Sequence, residues 1–168
     1  MPSSLLANLA DSWYFNEQPG QNRMGAGGNT LTEENGVTRV AGKLGFAASF
    51  ASASLQRFSA PSRAGLSMTG NTGWWVWGWV KFASLPADGT RMGLIVKRDD
   101  TVGSEWALSV YNNGGTYNLL VEITDPANAT VNAGASHVLD TSTWHFFEGW
   151  YDPVAHTVNS AWDGGAPA

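Results

Sequence analysis

Four tryptophans fall within six residues at Trp74-Trp75-Val76-Trp77-Gly78-Trp79, and the apolar run continues through Val80-Lys81-Phe82. Aromatic and β-branched residues at this density fit a pleated strand. Successive strand side chains point to opposite faces. Trp74, Val76, Gly78, Val80 and Phe82 therefore share one side, and Trp75, Trp77, Trp79 and Lys81 share the other. One side has to enter a core. The other is then far more apolar than the solvent face of an antiparallel sheet usually is, so either the rest of the domain covers it or a partner does.

The remaining chain repeats the period of two. Trp106, Leu108 and Val110 alternate before Asn112-Asn113-Gly114-Gly115, and Tyr117, Leu119, Val121 and Ile123 alternate after it, as in a hairpin closed by Asn-Gly chemistry. A second pair runs from Trp144 and Phe146 through Trp150, and from His156 to Trp162, joined across Asp152-Pro153. Gly- and Asn-rich segments at Gly25 to Asn29, Gly70 to Gly73 and Asn132 to Gly134 are read as punctuation between strands. Only 14% of the residues are charged while 12% are aromatic and 20 are glycine, a balance that suits short strands and turns better than a helical bundle. No helical period persists beyond a turn or two. No repeat, low-complexity tract or linker interrupts the chain, and residues 1–168 read as a single domain.

Charge and composition exclude several functions. Nine basic residues against fourteen acidic ones give a net charge of −5, which disfavours nucleic acid and anionic membranes, both of which call for clustered Lys and Arg. With no cysteine there is no disulfide, thiolate nucleophile or zinc–thiolate site. The first residues, Met1 to Leu9, lack a basic n-region and a long enough apolar core for a signal peptide, and no run is long enough to span a bilayer.

The ordered segments Trp13-Tyr14-Phe15-Asn16-Glu17, Gly27-Gly28-Asn29-Thr30-Leu31-Thr32, Gly42 to Phe50, Trp77 to Phe82, Ile95-Val96-Lys97, Thr143-Trp144-His145 and Tyr151-Asp152 resemble the concanavalin A-like superfamily, in its laminin G-like branch. That resemblance implies an all-β, two-sheet antiparallel sandwich of the jelly-roll kind. It also implies that Gly42, Gly45, Ala47 and Ala48 allow tight turning, that Phe46 and Phe50 fill the core, and that the Trp144 ring packs inside. Related domains continue past the position of Asp163-Gly164 with further strands, so the resemblance further implies an open sheet edge near the end of this chain. The fold does not imply one function, since lectins, glycanases, adhesion domains and particle components all use it.

Where the superfamily commonly places an Asp before its Gly-Gly-Asn-like turn, this chain reads Gln21-Asn22-Arg23-Met24. Calcium prefers several oxygen ligands including carboxylates. The oxygen donors left for it are Asp99 and Asp100, placed on the loop after Ile95-Val96-Lys97, and adjacent loop acids are more often solvated than ligating. No cofactor is otherwise expected. Glycanases of this fold carry Glu-x-Asp-x-x-Glu on one strand face, but Glu122 and Asp125 are three apart, a spacing that turns them to opposite faces. His145 and Glu148 give H-x-x-E without the second histidine of a helical zinc motif, and His137 and His156 are read as isolated. No Gly-x-Ser-x-Gly elbow occurs.

The sequence is therefore read as a non-catalytic surface-binding or adhesion module. It would belong to a larger assembly, such as a virion or particle decoration protein, or act outside the cell, with glycans as a plausible ligand class. Trp75, Trp77 and Trp79, with Asn112 and Asn113, are the candidate contact residues, because Trp rings both stack on sugars and anchor protein interfaces. The expected partner is a protein, a second copy of the chain or a glycan. The alternatives are a stand-alone lectin-like module of a secreted protein and, less favoured, a glycoside hydrolase.

Overall fold

The structure is a computed structural model that describes residues 12, 13, 15, 29–63, 66, 67, 73–99, 103–124, 130–152, 154, 155 and 157–168. Contacts divide the chain into two compact units, one reaching Leu66 and the other beginning at Ser67. Among the described residues every regular element beyond a 3-10 turn at Ser52–Ser54 is a β-strand, and every strand pairing is antiparallel.

In the first unit β1 (Thr32–Glu34) pairs with β4 (Arg57–Ser59), and β2 (Thr38–Ala41) pairs with β3 (Phe46–Ser49). The β2–β3 turn needs its glycines. Gly45 has φ 67°, and a Cβ on Gly42 would lie 2.8 Å from the Phe46 carbonyl carbon. Phe46 and Phe50 do not fill a core: they are 48% and 49% exposed, and the Arg39 guanidinium lies 3.3 Å from the Phe46 ring centroid. The small residues around them tighten the turn as expected but leave the two rings on the surface. Glu34 binds Arg57 and accepts from the Ser59 hydroxyl, and these partners hold its carboxyl below the ordinary range.

The second unit is a two-sheet sandwich. One sheet has the order β11 (Thr157–Trp162), β10 (His145–Asp152), β5 (Trp74–Val80); the other runs β6 (Arg91–Asp99), β7 (Gly103–Asn113), β8 (Thr116–Thr124), β9 (Thr130–His137). Trp106, Leu108, Val110, Leu119, Val121 and Ala135 from the larger sheet meet Phe147, Val158 and Trp162 from the smaller. The alternation read for the β7–β8 hairpin thus places its apolar residues inside. Its turn falls on Gly114 (φ 60°) and Gly115 (φ 86°), the two positive angles that a type I′ turn requires. Trp144 stays half-buried and outside this cluster. Asn132 to Gly134, read as a break between strands, instead runs through β9, because Gly134 faces Leu120, and its missing side chain leaves room for that residue.

Two features set how closely the sheets approach. A Cβ on Gly149 of β10 would lie 2.5 Å from Val121 Cγ2 and 3.1 Å from Leu108 Cδ2, so only glycine fits between those side chains. The fully buried Ser160 of β11 is a polar bridge: its hydroxyl donates to the Leu119 carbonyl at 2.9 Å and accepts from the Ala135 amide at 2.9 Å. Leu119 and Ala135 are register partners of β8 and β9, so this hydroxyl ties the smaller sheet into the ladder of the larger. After β11 the chain reverses at Asp163 (φ 50°) and Gly164 (φ 73°), and Ala168 exchanges both backbone hydrogen bonds with Ser160. At Ser160, where the resemblance implied an open edge, the edge is occupied by the chain itself.

Gly149→Ala is expected to lower unfolding stability by roughly 1–3 kcal/mol through overpacking, measured by urea denaturation, while Gly93→Ala, whose nearest neighbour would lie at 3.7 Å, stays close to wild type. Ser160→Ala is expected to lose about 1–3 kcal/mol, because it strands the Leu119 carbonyl and the Ala135 amide away from water.

Candidate functional site

The outward face of the three-stranded sheet carries the densest group of exposed rings among the described residues. β5 alternates as its sequence requires: Trp74, Val76, Gly78 and Val80 are partly buried, while Trp75, Trp77 and Trp79 are exposed at 44%, 41% and 46%. The register places Trp75 beside Trp150, Trp77 beside Glu148 and Trp79 beside Phe146 on β10. Trp75 contacts Trp77 and Trp150 at ring-centroid distances of 5.6 and 6.5 Å, and Trp79 contacts Phe146 at 5.3 Å. Inward packing holds this row in place: the Phe147 ring occupies the space that a side chain on Gly78 would need, and Trp74 stacks on Trp106.

Glu148 sits among these rings. Its register neighbours are Trp77 on one side and Ala161 on the other, and among the described residues no cation or hydrogen-bond donor is paired with its carboxylate. Asn159, one row along on β11 beside Trp150, donates its amide to Thr157. The face therefore combines aromatic planes with a carboxylate that still has its acceptor capacity. Phe146, Glu148 and Trp150 were not singled out from the sequence as parts of a site. The same period-two reading that assigned their strand contained the signal, since it puts all three on one side.

Asn112 and Asn113 do not join this face. They end β7 in the four-stranded sheet, where Asn112 is buried, donates to the Pro86 carbonyl at 2.9 Å and accepts from the Gly115 amide at 2.8 Å. Asn112 is thus a turn-building residue, and Asn113 is exposed beside it. Asp99 is the last residue of β6, paired with Gly103 rather than lying in a loop, and Asp100 lies outside the described residues. Glu122 is tied to Arg91, and Asp125 and His156 fall outside the described residues.

His137 is not isolated. It ends β9 on the inward side, opposite the start of β10, and its Nε2 lies 3.2 Å from Asp163 Oδ2. His145 Nδ1 lies 3.0 Å from the same oxygen, while Asp163 Oδ1 accepts from the Phe146 amide at 2.7 Å. Burial works to raise the Asp163 pKa, but the Phe146 amide and the two histidines outweigh it and the carboxyl is held low. No local spacing links residues 137, 145 and 163; sheet pairing alone brings them together. Behind them, Asp140 accepts from the amides and hydroxyls of Ser142 and Thr143. Those bonds, led by the Thr143 amide, hold the Asp140 carboxyl well below the ordinary carboxylate range.

Comparison of the chain with protein-family models, with curated proteins and with solved structures finds no match. Among the described residues no helix is long and apolar enough to cross a membrane.

The low Asp140 pKa has a pH consequence. Below about pH 4 the unfolded chain binds a proton there that the native state refuses. The stability from Asp140 is complete above that pH and is lost as the pH falls through the folded value. Asp140→Ala is expected to lower the urea midpoint at neutral pH, and the wild-type and variant midpoints should converge as the pH drops below about 3. Parallel midpoint curves would show that Asp140 contributes nothing through its charge.

Proposed function

We propose that this chain is a non-catalytic binding module whose outward aromatic face holds a glycan. The observation that carries the reading is the Glu148 carboxylate, without a partner among the described residues, set among Trp75, Trp77, Trp79, Trp150 and Phe146. An apolar protein surface laid over that face would strip water from Glu148 without returning a donor, at a cost of several kcal/mol for an ionised group. A sugar supplies both what the rings need and what the acid needs: C–H faces stack on indole planes, and hydroxyls donate to the carboxylate. Trp75 to Trp79 spans about 13 Å along the strand, a row long enough for more than one sugar ring, which favours an oligosaccharide or polysaccharide over a monosaccharide.

The resemblance to laminin G-like modules supports the same class of function, as does the placement of the row on a rigid sheet, where preorganised rings lose little entropy on binding. A module of this kind suits a particle surface or an extracellular setting, where glycans are met. The face would act by adhesion.

A glycan array followed by calorimetry on the best ligand tests the reading. Trp77→Ala is expected to weaken binding at least tenfold, about 1.4 kcal/mol, while leaving the far-ultraviolet spectrum unchanged. Glu148→Gln should weaken it by a smaller factor, because an amide still accepts hydrogen bonds. A chain that binds no glycan but self-associates through this face, with association lost in Trp77→Ala, would assign the face to protein contact instead.

A further inference from the structure

We infer that His137, His145 and Asp163 form a binding site for a borderline divalent transition metal, with Zn2+ the best fit. The site lies apart from the aromatic face and does not depend on the glycan reading. The imidazole and carboxylate donor atoms of the three residues all lie within 4.8 Å of one another. The separations of Asp163 Oδ2 from His137 Nε2 and His145 Nδ1 are 3.2 and 3.0 Å. Ligand atoms around a tetrahedral zinc with bonds of about 2.0–2.1 Å stand about 3.3 Å apart. Two edges of that tetrahedron are therefore already in place, and closing the site needs only small side-chain movement.

The hydrogen bonds behind His145 strengthen the assignment. Thr143 Oγ1 donates to Asp140 Oδ2 at 2.9 Å and lies 3.1 Å from His145 Nε2, with the Asp140 amide 3.5 Å from the same nitrogen, so the imidazole is held from behind. On its other side Nδ1 faces the Asp163 Oδ2 oxygen at 3.0 Å. A metal ion satisfies Nδ1, Oδ2 and His137 Nε2 together. The chain from Nε2 through Thr143 to Asp140 then matches the outer shell that orients metal-bound histidines.

The rings and the third ligand are also held before any ion arrives. His137 stacks on Trp162 with ring centroids 6.3 Å apart, His145 meets the same indole edge-on at 6.2 Å, and Asp163 is fixed by its turn and by the Phe146 amide. A surface depression lined by Gly115, Thr116, Ser136, His137 and Val138 lies against His137. Two nitrogens and one oxygen suit zinc and its late first-row neighbours rather than calcium or magnesium, which prefer all-oxygen sites. His137 comes from the four-stranded sheet, and His145 and Asp163 from β10 and the turn after β11, so bound metal would cross-link the two sheets of the sandwich.

The test is calorimetric titration of chelator-treated protein with ZnCl2, paired with thermal unfolding with and without the ion. Zn2+ is expected to bind one to one and to raise the Tm, and Co2+ in its place should give the intense visible absorption of a tetrahedral site. His137→Ala, checked for an unchanged far-ultraviolet spectrum, should weaken Zn2+ binding at least tenfold. Thr143→Val, which touches no metal, should weaken it about 10–100-fold by releasing His145. Glu148→Gln should leave it unchanged. No Zn2+ effect on wild type, or equal Zn2+ affinity in wild type and His137→Ala, would overturn the assignment and leave the cluster a hydrogen-bonded His–Asp clasp.

Discussion

The spacing between the two sheets of the second unit depends on one missing side chain. At Gly149, β10 passes so close to Val121 and Leu108 that even a methyl group would overlap them. Because proteins pack at crystal-like density, this contact fixes where the neighbouring inward residues of β10 can sit. Phe147 is the next inward ring, and it in turn requires a glycine at position 78 of β5. Two glycines and one phenylalanine thus lock all three elements, β5, β10 and the core of the larger sheet, into one register. The apolar core around them would be weaker with larger residues in place of the glycines, although each larger residue is more hydrophobic.

Polar groups close the sandwich where apolar packing runs out. Ser160 supplies a hydroxyl where the β8–β9 ladder presents a carbonyl and an amide, and it is the only fully buried polar side chain among the described residues that joins the sheets in this way. At the same end of β11, Asp163 accepts from Phe146 and draws in two histidines. Most buried polar groups in proteins are paired, and Ser160 and His145 are paired across a strand boundary rather than within their own strand. They therefore specify which strands meet, a task that interchangeable apolar contacts perform poorly.

What the sequence revealed follows from the range of the interactions involved. The β5 alternation, the β7–β8 hairpin and the β10–β11 pair are local patterns of period two and turn chemistry, and they are found where those patterns place them. Asn112 was legible as a turn residue but not as a buried one, because its partner Pro86 is 26 positions away. Phe46 and Phe50 illustrate the opposite error: aromatic residues flanked by small ones resemble core, yet a guanidinium over one ring keeps that ring on the surface. His137 was invisible as a cluster member since residues 137, 145 and 163 meet only through pairing between strands. The Trp75–Trp79 row was readable from the sequence, whereas Glu148 at its middle needed the β5–β10 register.

That register also explains how one strand carries a packed inner row and an exposed aromatic row without compromise. In β10 the residues His145, Phe147 and Gly149 turn inward, and Phe146, Glu148 and Trp150 turn outward. The inward set has no freedom to move, because each member is held by a core ring, a glycine contact or the Asp163 carboxylate. Its immobility passes through the shared backbone to the outward set, whose rings then need no covering layer to keep their spacing. An aromatic row on a loop would pay ordering entropy on every encounter; on β10 and β5 that ordering is complete once the core has formed. The residues that make the core firm and those that carry the exposed rings therefore alternate along the same strand. On the glycan-binding reading proposed above, substitutions that loosen the inward set should weaken glycan binding even where they touch none of the exposed rings.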